Sequence, residues 1–384
     1  MYIKDLHLKY FRNYEKEEIN FSPGICLIQG ANGQGKSNLL EAIYNLCFAH
    51  SFRNLKESDL VYWNKPFYYL QGTLCLQQRF FKVEVGYDLL KKRKVVKING
   101  RNVKQFHLAE YCPVVFFLPE DLELVRRGPE ERRRFLDREI SQESRLYGDL
   151  LSRYNRVVFQ KNQVLKEKRS NKEIKELTRP WNKQMVYFGS RIIQKRAQVL
   201  STWSTLAAHN YSVLFKYAPE MKIVYNNFIG EDAVFADIEE IENRFYKEIS
   251  SWEEEEFKRG FSLLGPHRDD LTFLLDGRDA RRFASHGQQR SAVIALKAAQ
   301  IQSYNKKNEK PLFILDDVFS ELDEWRKQQC FLLLRDAEQV FLTITKKDSC
   351  LDTFLEQTAC SSFLHVQEGK ILEINSNGKN STIC

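Results

Sequence analysis

The chain has 384 residues, of which 43% are hydrophobic and 29% are charged, and its mean hydropathy is −0.49. This length can bury a large core in one or two domains, and no apolar run is long enough to cross a bilayer. The start, MYIKDLHLKYFRNY, lacks the apolar core of a signal peptide, so we expect a cytoplasmic protein without a membrane partner. The net charge of +8 weakly favours a polyanionic partner.

A glycine-rich segment follows the first apolar run. Residues 24–28 predict a buried strand and residues 38–48 predict a helix, and the segment between them fits GxxxxGK[ST]. Glycines let successive backbone N–H groups face phosphate oxygens, and the helix N-terminus adds positive potential. The lysine would contact β- and γ-phosphates and the serine hydroxyl would ligate Mg²⁺. The sequence therefore predicts a nucleotide site formed by Gly30, Ala31, Asn32, Gly33, Gln34, Gly35, Lys36, Ser37 and Asn38.

The next stretch combines strand patterns with basic residues. Residues 68–87 alternate between apolar and polar positions, which predicts paired strands, and Asn99-Gly100 is a strong hairpin signal. Residues 91–104 contain seven Lys or Arg and no acid. Such a run is either a solvated face or a surface that binds phosphates. The candidate DNA contacts are Lys91, Lys92, Arg93, Lys94, Lys97 and Arg101.

From about residue 129 to residue 215 the strand alternation gives way to helical periodicity, with apolar residues recurring every three or four positions. Gly148, Pro180 and Gly189 interrupt it, which argues against one continuous coiled coil. Strand and helix alternation returns after about residue 261. We therefore predict an α/β fold with a mixed or parallel sheet, split into residues 1–125 and 256–384 by an all-helical second domain, residues 126–255.

Two apolar runs near the C-terminus predict parallel strands covered on both faces, LFILDD and VFLTIT. The first ends in Asp316 and Asp317, and carboxylates at that edge of a sheet face bound ligands. We expect Asp316 to hold Mg²⁺ with Ser37, and Asp317 to orient or deprotonate the attacking water. The eight cysteines include no CxxC pair and the seven histidines no HxxxH pair, which predicts reduced thiols and no protein-built metal site.

The order of the phosphate loop, an S-x-G-Q-Q-R stretch at a helix start and a strand ending in two acids resembles the ABC-type ATPases. The resemblance implies that the S-x-G-Q-Q-R stretch is a signature that binds the γ-phosphate of a nucleotide held by a partner copy. It also implies a D-loop after the acids and a switch position after the last strand, where many members have histidine. The signature residues would be Ser285, Gly287, Gln288, Gln289 and Arg290, the D-loop residues Ser320 and Asp323, and the switch residue Thr345.

Within that superfamily the chain most closely resembles the RecF family of recombination mediators. The resemblance is carried by FRNY at 11–14, GANGQGKSNLLEAI, FLPEDL at 117–122, RRRFLD at 132–137, LGPHRDDL at 264–271, SHGQQR and LDDVFSELD. It implies an ATP- and Mg²⁺-dependent clamp on double-stranded or gapped DNA, dimerising on ATP and hydrolysing it slowly. It further implies recombinational repair and replication restart, the SOS response, and the partners RecO and RecR.

Two motifs and the function itself leave alternatives open. His267, Arg268 and Asp269 have either a structural role or a nucleotide contact, and Arg133 or Arg134 either binds DNA or pairs with acids. The leading hypothesis for the function is a DNA-binding switch with weak DNA-stimulated ATPase activity. The alternatives are an SMC/Rad50-like or OLD-like head that acts as a motor or nuclease, and a DNA-independent protein-remodelling ATPase.

Overall fold

The structure is a computed structural model that describes residues 1–53, 55–104, 108, 111–167, 170–214, 218–230, 236–305, 310–334, 337–346 and 360–373. Its strands are β1 Tyr2–Phe11, β2 Tyr14–Asn20, β3 Gly24–Gln29, β4 Phe67–Leu76, β5 Arg79–Asp88, β6 Arg93–Ile98, β7 Arg101–Asn102, β8 Val114–Phe117, β9 Met221–Asn226, β10 Asp270–Leu275, β11 Arg278–Asp279, β12 Leu312–Leu315, β13 Gln339–Ile344, β14 Cys360–Gln367 and β15 Lys370–Glu373. Its helices are α1 Lys36–Phe48, α2 Pro129–Glu143, α3 Arg145–Leu165, α4 Asn171–Leu214, α5 Ile238–Arg259, α6 Ala280–Phe283, α7 His286–Asn305 and α8 Glu324–Leu334.

The chain divides into two compact units, the first comprising residues 1–121 and 300–384. This unit contains an antiparallel sheet of order β2-β1-β4-β5-β6-β7 and a second sheet of order β15-β14-β3-β13-β12-β8. In the second sheet β14, β3, β13, β12 and β8 run parallel, as continuous apolar runs such as Leu312–Leu315 predict. The carboxyl ends of β3, β12 and β13 therefore lie at one edge.

Helix α1 connects the two sheets of the first unit, because it packs against β1, β4 and β5 of one and β13 of the other. Almost all of its side chains are buried, so the helix is enclosed on every side. Its N-terminus begins directly after the glycine-rich loop. The core thereby fixes the position of that loop against both sheets.

The second unit comprises residues 122–299. Helices α3, α4 and α5 pack side by side, and α4 also packs on β9 of a small sheet of order β11-β10-β9. Helix α4 continues through Pro180 and Gly189. A side chain at Gly189 would stand 2.5 Å from the ring of Phe245, so this glycine allows α5 to approach α4 closely.

Two predictions about this unit differ from the structure. The segment 126–255 is not entirely helical, because residues 221–226 alternate between buried and less buried positions and form β9. Residues 256–299, predicted to rejoin the ATPase domain, cluster with the second unit because β10 pairs with β9 over six residue pairs. The first boundary, between residues 121 and 122, lies close to the predicted 125/126.

Two local predictions are confirmed, the hairpin turn and the free thiols among the described cysteines. Asn99 and Gly100 both have positive φ, 50° and 78°, and turn β6 into β7. The thiols of Cys26, Cys47, Cys75, Cys112 and Cys330 are free and buried. None of the helices in the described ranges is both long and apolar enough to traverse a membrane.

Candidate nucleotide-binding site

The phosphate loop joins the end of β3 to the start of α1. Gly33 and Gly35 have φ of 80° and 117°, a region that favours glycine. Residue 35 also has no room for a side chain, since a Cβ there would stand 2.5 Å from Asn13 Nδ2. The loop thus has the backbone shape that turns N–H groups towards an anion at a helix N-terminus.

The Lys36 ammonium lies against this loop. Its Nζ donates to the carbonyl oxygens of Gly30 at 2.7 Å and Ala31 at 3.0 Å. Burial lowers the pKa of Lys36, while the charges of Asp317 and Asp316 act in the opposite direction. The cation therefore sits between the loop main chain and the electrostatic field of two acids.

Those acids follow β12 at the carboxyl edge of the parallel sheet. Ser37 Oγ donates to Asp316 Oδ1 at 2.8 Å, which joins the phosphate loop to the acid motif. Burial raises the pKa of Asp316, and the hydrogen bonds from Ser37 and Thr343 oppose that shift. A hydroxyl and a carboxylate within contact of one another are hard oxygen donors that suit Mg²⁺, an ion that keeps several waters and shares substrate phosphates.

The backbone of Asp317 is fixed by the neighbouring strand. Its φ of 50° and ψ of 25° are left-handed, and its N–H donates to Thr343 Oγ1 at 2.7 Å. The Thr343 hydroxyl in turn donates to Asp316 Oδ1 at 3.0 Å. Thr343 was absent from the predicted site, and its only signal was a hydroxyl inside the buried run VFLTI.

Sequence reasoning also missed Glu41 and Arg53. Glu41 is fully buried on α1 and accepts from Arg12 Nε at 2.7 Å and from the Ser51 hydroxyl. Arg53 lies 3.7 Å from Glu41 and donates to Asn38 Oδ1 at 3.2 Å. Its charge also acts against the raised pKa of Asp316, so a second cation faces the acid edge.

The predicted signature residues lie in the second unit at the start of α7. Ser285 and Gln288 form a reciprocal cap, in which Gln288 N donates to Ser285 Oγ at 3.2 Å and Ser285 N donates to Gln288 Oε1 at 2.9 Å. Gln289 is buried instead, and its Nε2 donates to Ala280 O at 2.8 Å. Arg290 lies 4.0 Å from Glu123. Gly287 stands in the first turn of α7.

The remaining predicted residues of the acid motif have local contacts. Ser320 Oγ donates to Asp317 O at 2.7 Å, and Asp323 Oδ1 accepts from Arg326 N at 2.9 Å at the start of α8. Thr345 lies beyond the end of β13, whereas Thr343 within the strand is the residue that contacts the acids. The switch role of Thr345 stays a prediction.

The basic residues 91–104 do not form one uniform surface. Lys94 lies on the face of β6 that carries the buried Val96, and its Nζ is 2.5 Å from Glu57 Oε1. Burial lowers its pKa, and Glu57 opposes that shift. Lys97 pairs in register with Glu84 of β5, whereas Lys91, Lys92, Arg93 and Arg101 are exposed. Lys94 is therefore an internal ion-pair partner.

The LGPHRDDL stretch forms a structural network in the second unit. Tyr154 Oη and His267 Nδ1 are 2.7 Å apart, and buried Arg196 reaches Asp137 at 2.7 Å and Asp269 at 3.4 Å. Arg132 pairs with Asp270 through two bonds at 2.7 and 2.6 Å. Arg133 Nη1 donates to Asp269 O at 2.7 Å, and Arg134 pairs with Glu130 one turn away. These contacts favour the structural alternative for the motif and for the arginines.

Comparison with known proteins agrees with this geometry. The sequence model of one protein family, the RecF/RecN/SMC N-terminal domain, matches residues 2–368 of this chain. The chain is 38% identical to the DNA replication and repair protein RecF of Desulfitobacterium hafniense (strain DSM 10664 / DCB-2), over 97% of this chain and 99% of the relative. It is 35% identical to the RecF protein of Bacillus thuringiensis (strain Al Hakam), over 97% and 98%.

Solved structures give the same result for the fold. A structure of the recombination mediator protein RecF-ATP in the RecFOR pathway matches with a TM-score of 0.84 and 30% identity, over 97% of each chain. An SMC head bound to the C-terminal winged-helix domain of ScpA matches with a TM-score of 0.55 at 16% identity, over 98% of this chain and 99% of that chain. The second match supports the fold alone.

Proposed function

Since this chain belongs to the RecF family, we propose that it is an ATP-dependent DNA-binding switch for DNA replication and repair. ATP binding would join two copies on double-stranded or gapped DNA, and slow hydrolysis would release them. RecR and RecO are the expected partners in recombinational repair and replication restart, and the cytoplasm is the expected location. The family relationship to RecF proteins supports this proposal.

The observation that carries the ATP proposal is the bond between Ser37 and Asp316 beside the Lys36 ammonium. Lys36 would release the carbonyls of Gly30 and Ala31 and bind the β- and γ-phosphates, gaining an anionic partner. Ser37 and Asp316 would hold Mg²⁺, which when bound neutralises charge that develops on the phosphates. Residues 30–38 would bind the phosphates through their backbone N–H groups.

Asp317 is the proposed catalytic residue. The bond from its N–H to Thr343 fixes the backbone, so its carboxylate would act on the attacking water from a constrained main chain. An aspartate reaches less far than a glutamate, which supports weak turnover and a role as a switch. Hydrolysis would thus end the ATP-bound pairing of two copies on DNA and would not drive a motor.

The signature would complete the site of a second copy. In the reciprocal cap Ser285 Oγ accepts a hydrogen bond, so its own hydroxyl proton stays available to donate to a γ-phosphate. Gly287 has no side chain to cover the helix N-terminus, whose positive potential would favour an anion. Gln289 would not contact the nucleotide; its bond to Ala280 O would hold α6 against the N-terminus of α7. Arg290 would add positive charge.

The DNA surface would use the exposed members of the basic run, Lys91, Lys92, Arg93 and Arg101. Contacts of this kind neutralise phosphates and read shape rather than base sequence. Lys97 would contribute less because Glu84 lies opposite it. Binding that weakens steeply with salt is therefore the expected behaviour.

The first experiment is the ATPase rate per subunit against protein concentration, with and without duplex or gapped DNA. A rate that rises with concentration, and rises further with DNA, supports the switch. Lys36→Ala is the inactive variant, and Lys16→Ala, at an exposed position of β2, is its matched control. DNA-independent turnover without salt-sensitive DNA binding would favour a protein-remodelling ATPase, and strand scission would favour a nuclease.

A further inference from the structure

The FRNY motif contacts the phosphate loop from one side. Asn13 lies in the turn between β1 and β2, Tyr14 begins β2, and Asn13 Nδ2 donates to the Gln34 carbonyl oxygen at 3.1 Å. The buried Tyr14 hydroxyl donates to the Gly35 carbonyl oxygen at 2.9 Å. Two consecutive carbonyls of the loop are therefore bound by consecutive residues of the β1–β2 hairpin.

The hairpin turn between β14 and β15 contacts the same peptide from another side. Gly369 N donates to the Gln34 carbonyl oxygen at 3.0 Å, and Glu368 N donates to Gln34 Oε1 at 2.7 Å. Gly369 has a φ of +72°, and a Cβ there would collide with the Asn13 carbonyl oxygen. The two turns thus touch each other as well as the loop, and the lone pairs of the Gln34 carbonyl accept from both.

The Asn13 side chain is itself oriented. Asn38 Nδ2 donates to Asn13 Oδ1 at 2.8 Å, so the amide of Asn13 presents its NH₂ group to the loop and its oxygen to α1. Asn38 is held in turn by Arg53, which donates to its Oδ1 at 3.2 Å. These two bonds set the orientation of the Asn13 amide relative to the loop.

Because the peptide unit is planar and trans, the bonds to the two loop carbonyls also fix the directions of the Gly35 and Lys36 N–H groups. Within one peptide unit the C=O and N–H groups point in opposite directions. Because the Gln34 C=O is bound by Asn13 and Gly369, the Gly35 N–H points away from both turns. The Gly35 C=O is bound by Tyr14 and by Leu39 N of α1, so the Lys36 N–H also points away from them.

We propose that Asn13, Tyr14 and the Glu368-Gly369 turn are positioning residues that preorganise the Gly35 and Lys36 N–H groups for nucleotide phosphates. This inference rests on the proposed ATP site and adds to it a role for Asn13 and Tyr14, which lie outside the phosphate loop. Preorganised donors need no rearrangement when the anion arrives, which is why their orientation contributes to affinity. Loss of a positioning bond weakens phosphate binding without removing a phosphate contact.

The test measures equilibrium Kd values for ATP and for inorganic triphosphate, with Mg²⁺, in the full chain. Asn13→Leu removes the donor at similar size, and Tyr14→Phe removes only a hydroxyl. Each is expected to raise both Kd values by the same factor, about threefold to tenfold, the scale of one hydrogen bond. Asn20→Leu, at an exposed position of β2, and Tyr69→Phe, which loses a bond to Glu84, are matched controls expected to bind as the unmodified protein does.

Thermal unfolding of the ligand-free protein separates positioning from general stability. Unchanged Kd values in Asn13→Leu and Tyr14→Phe, whatever their melting temperature, would overturn the proposal. If Asn13→Leu does not fold, Tyr14→Phe decides alone. A protein that binds neither ligand, or a Lys36→Ala variant that binds both normally, would instead overturn the ATP site on which the inference rests.

Discussion

The Thr343 hydroxyl connects the two acids at the end of β12, because it donates to Asp316 Oδ1 at 3.0 Å and accepts from Asp317 N at 2.7 Å. A single side chain on the neighbouring parallel strand thus orients the proposed metal ligand and fixes the backbone of the proposed catalytic residue. The contact depends on the register of the strands, in which Leu342 lies opposite Leu315 and Thr343 extends one residue further.

Thr343→Val tests this connection, since valine keeps the shape and removes the hydroxyl. Asp317 N–H would lose its partner and Asp316 one donor, so we expect a loss of about 1–3 kcal/mol in the free energy of unfolding. The ATPase rate should fall by at least about tenfold because the carboxylates lose their orientation. Urea unfolding and steady-state turnover measure the two effects, with exposed Thr205→Val as the control. Normal turnover would show that Thr343 has no role in positioning.

Asp316→Asn should separate stability from activity. Burial raises the pKa of Asp316, so the folded protein binds a proton more readily than the unfolded chain. Its stabilising contribution is therefore present below the unfolded pKa, about 3.9, and is lost as pH rises through the raised value. Asparagine keeps an oxygen acceptor for Ser37 and Thr343 and removes the buried charge.

We accordingly expect ligand-free Asp316→Asn to melt at a higher temperature than the unmodified protein at about pH 7, with a difference that narrows towards about pH 4. Turnover should be lost because the amide is a poor Mg²⁺ ligand. Exposed Asp149→Asn is the matched control. A lower melting temperature at neutral pH would mean that ion-pair attraction outweighs desolvation at this carboxylate.

The site illustrates what sequence patterns can and cannot specify. The phosphate loop and Asp316 were predictable because a fixed local spacing creates each of them. Thr343 was not, because its importance arises only when β12 and β13 align. Lys94 was predicted as a DNA contact although strand alternation places it on the same face as Val96 and Ile98. That period of two was available in the sequence and favours a buried position.

Removing Ser285 or Gln288 from the reciprocal cap of α7 should have different effects on ATPase activity. Ser285→Ala and Gln288→Ala each remove one bond of the cap, so we expect both to cost about 1 kcal/mol of stability. Only Ser285→Ala removes the hydroxyl proposed to reach the partner's γ-phosphate. Its ATPase rate should therefore lose its dependence on protein concentration, while Gln288→Ala retains it. If both variants lose the concentration dependence equally, the effect would come from the weakened end of α7 and not from the Ser285 hydroxyl.

A substitution at Lys92 should change DNA affinity alone, and one at Lys94 should change the stability of the fold alone. Lys92→Glu alters an exposed side chain, so the slope of log affinity against log salt should become shallower, by about one unit for each phosphate that is no longer neutralised, at unchanged melting temperature. Lys94→Met removes one partner of half-buried Glu57, leaving the Tyr68 hydroxyl, and should cost about 1–3 kcal/mol of stability at unchanged DNA affinity. DNA binding and thermal melting of both variants check this. The reverse pattern would restore Lys94 as the DNA contact.

The fold shows a related limit of local patterns. The hairpin at Asn99-Gly100 was predictable from two residues that tolerate positive φ. The boundary of the second unit was not, since β9 meets its partner β10 only after the intervening α5. Long-range pairing of two short strands leaves a weak signal in either strand alone. Residues 256–299 therefore resembled a return to the first unit while folding with the second.

His267 should make stability depend on pH. Burial lowers its pKa to about 3, so the folded protein keeps the imidazole neutral while the unfolded chain binds a proton below about pH 6.5. Stability from this group is fully present above about pH 6.5 and falls by about 1.4 kcal/mol per pH unit below it. His267→Gln retains a donor for Ser262 O and an acceptor for Tyr154 and removes the titration.

Urea unfolding at about pH 7.5, 6 and 5 should therefore show a smaller loss of stability in His267→Gln than in the unmodified protein. The neighbouring carboxyl of Asp269, whose pKa burial raises to about 6, titrates in both proteins and cancels in the comparison. His7→Gln, on the half-exposed face of β1, is the control and should follow the unmodified protein. Parallel curves for the unmodified protein and His267→Gln would show that His267 becomes protonated without unfolding, and that the Tyr154 contact does not keep it neutral.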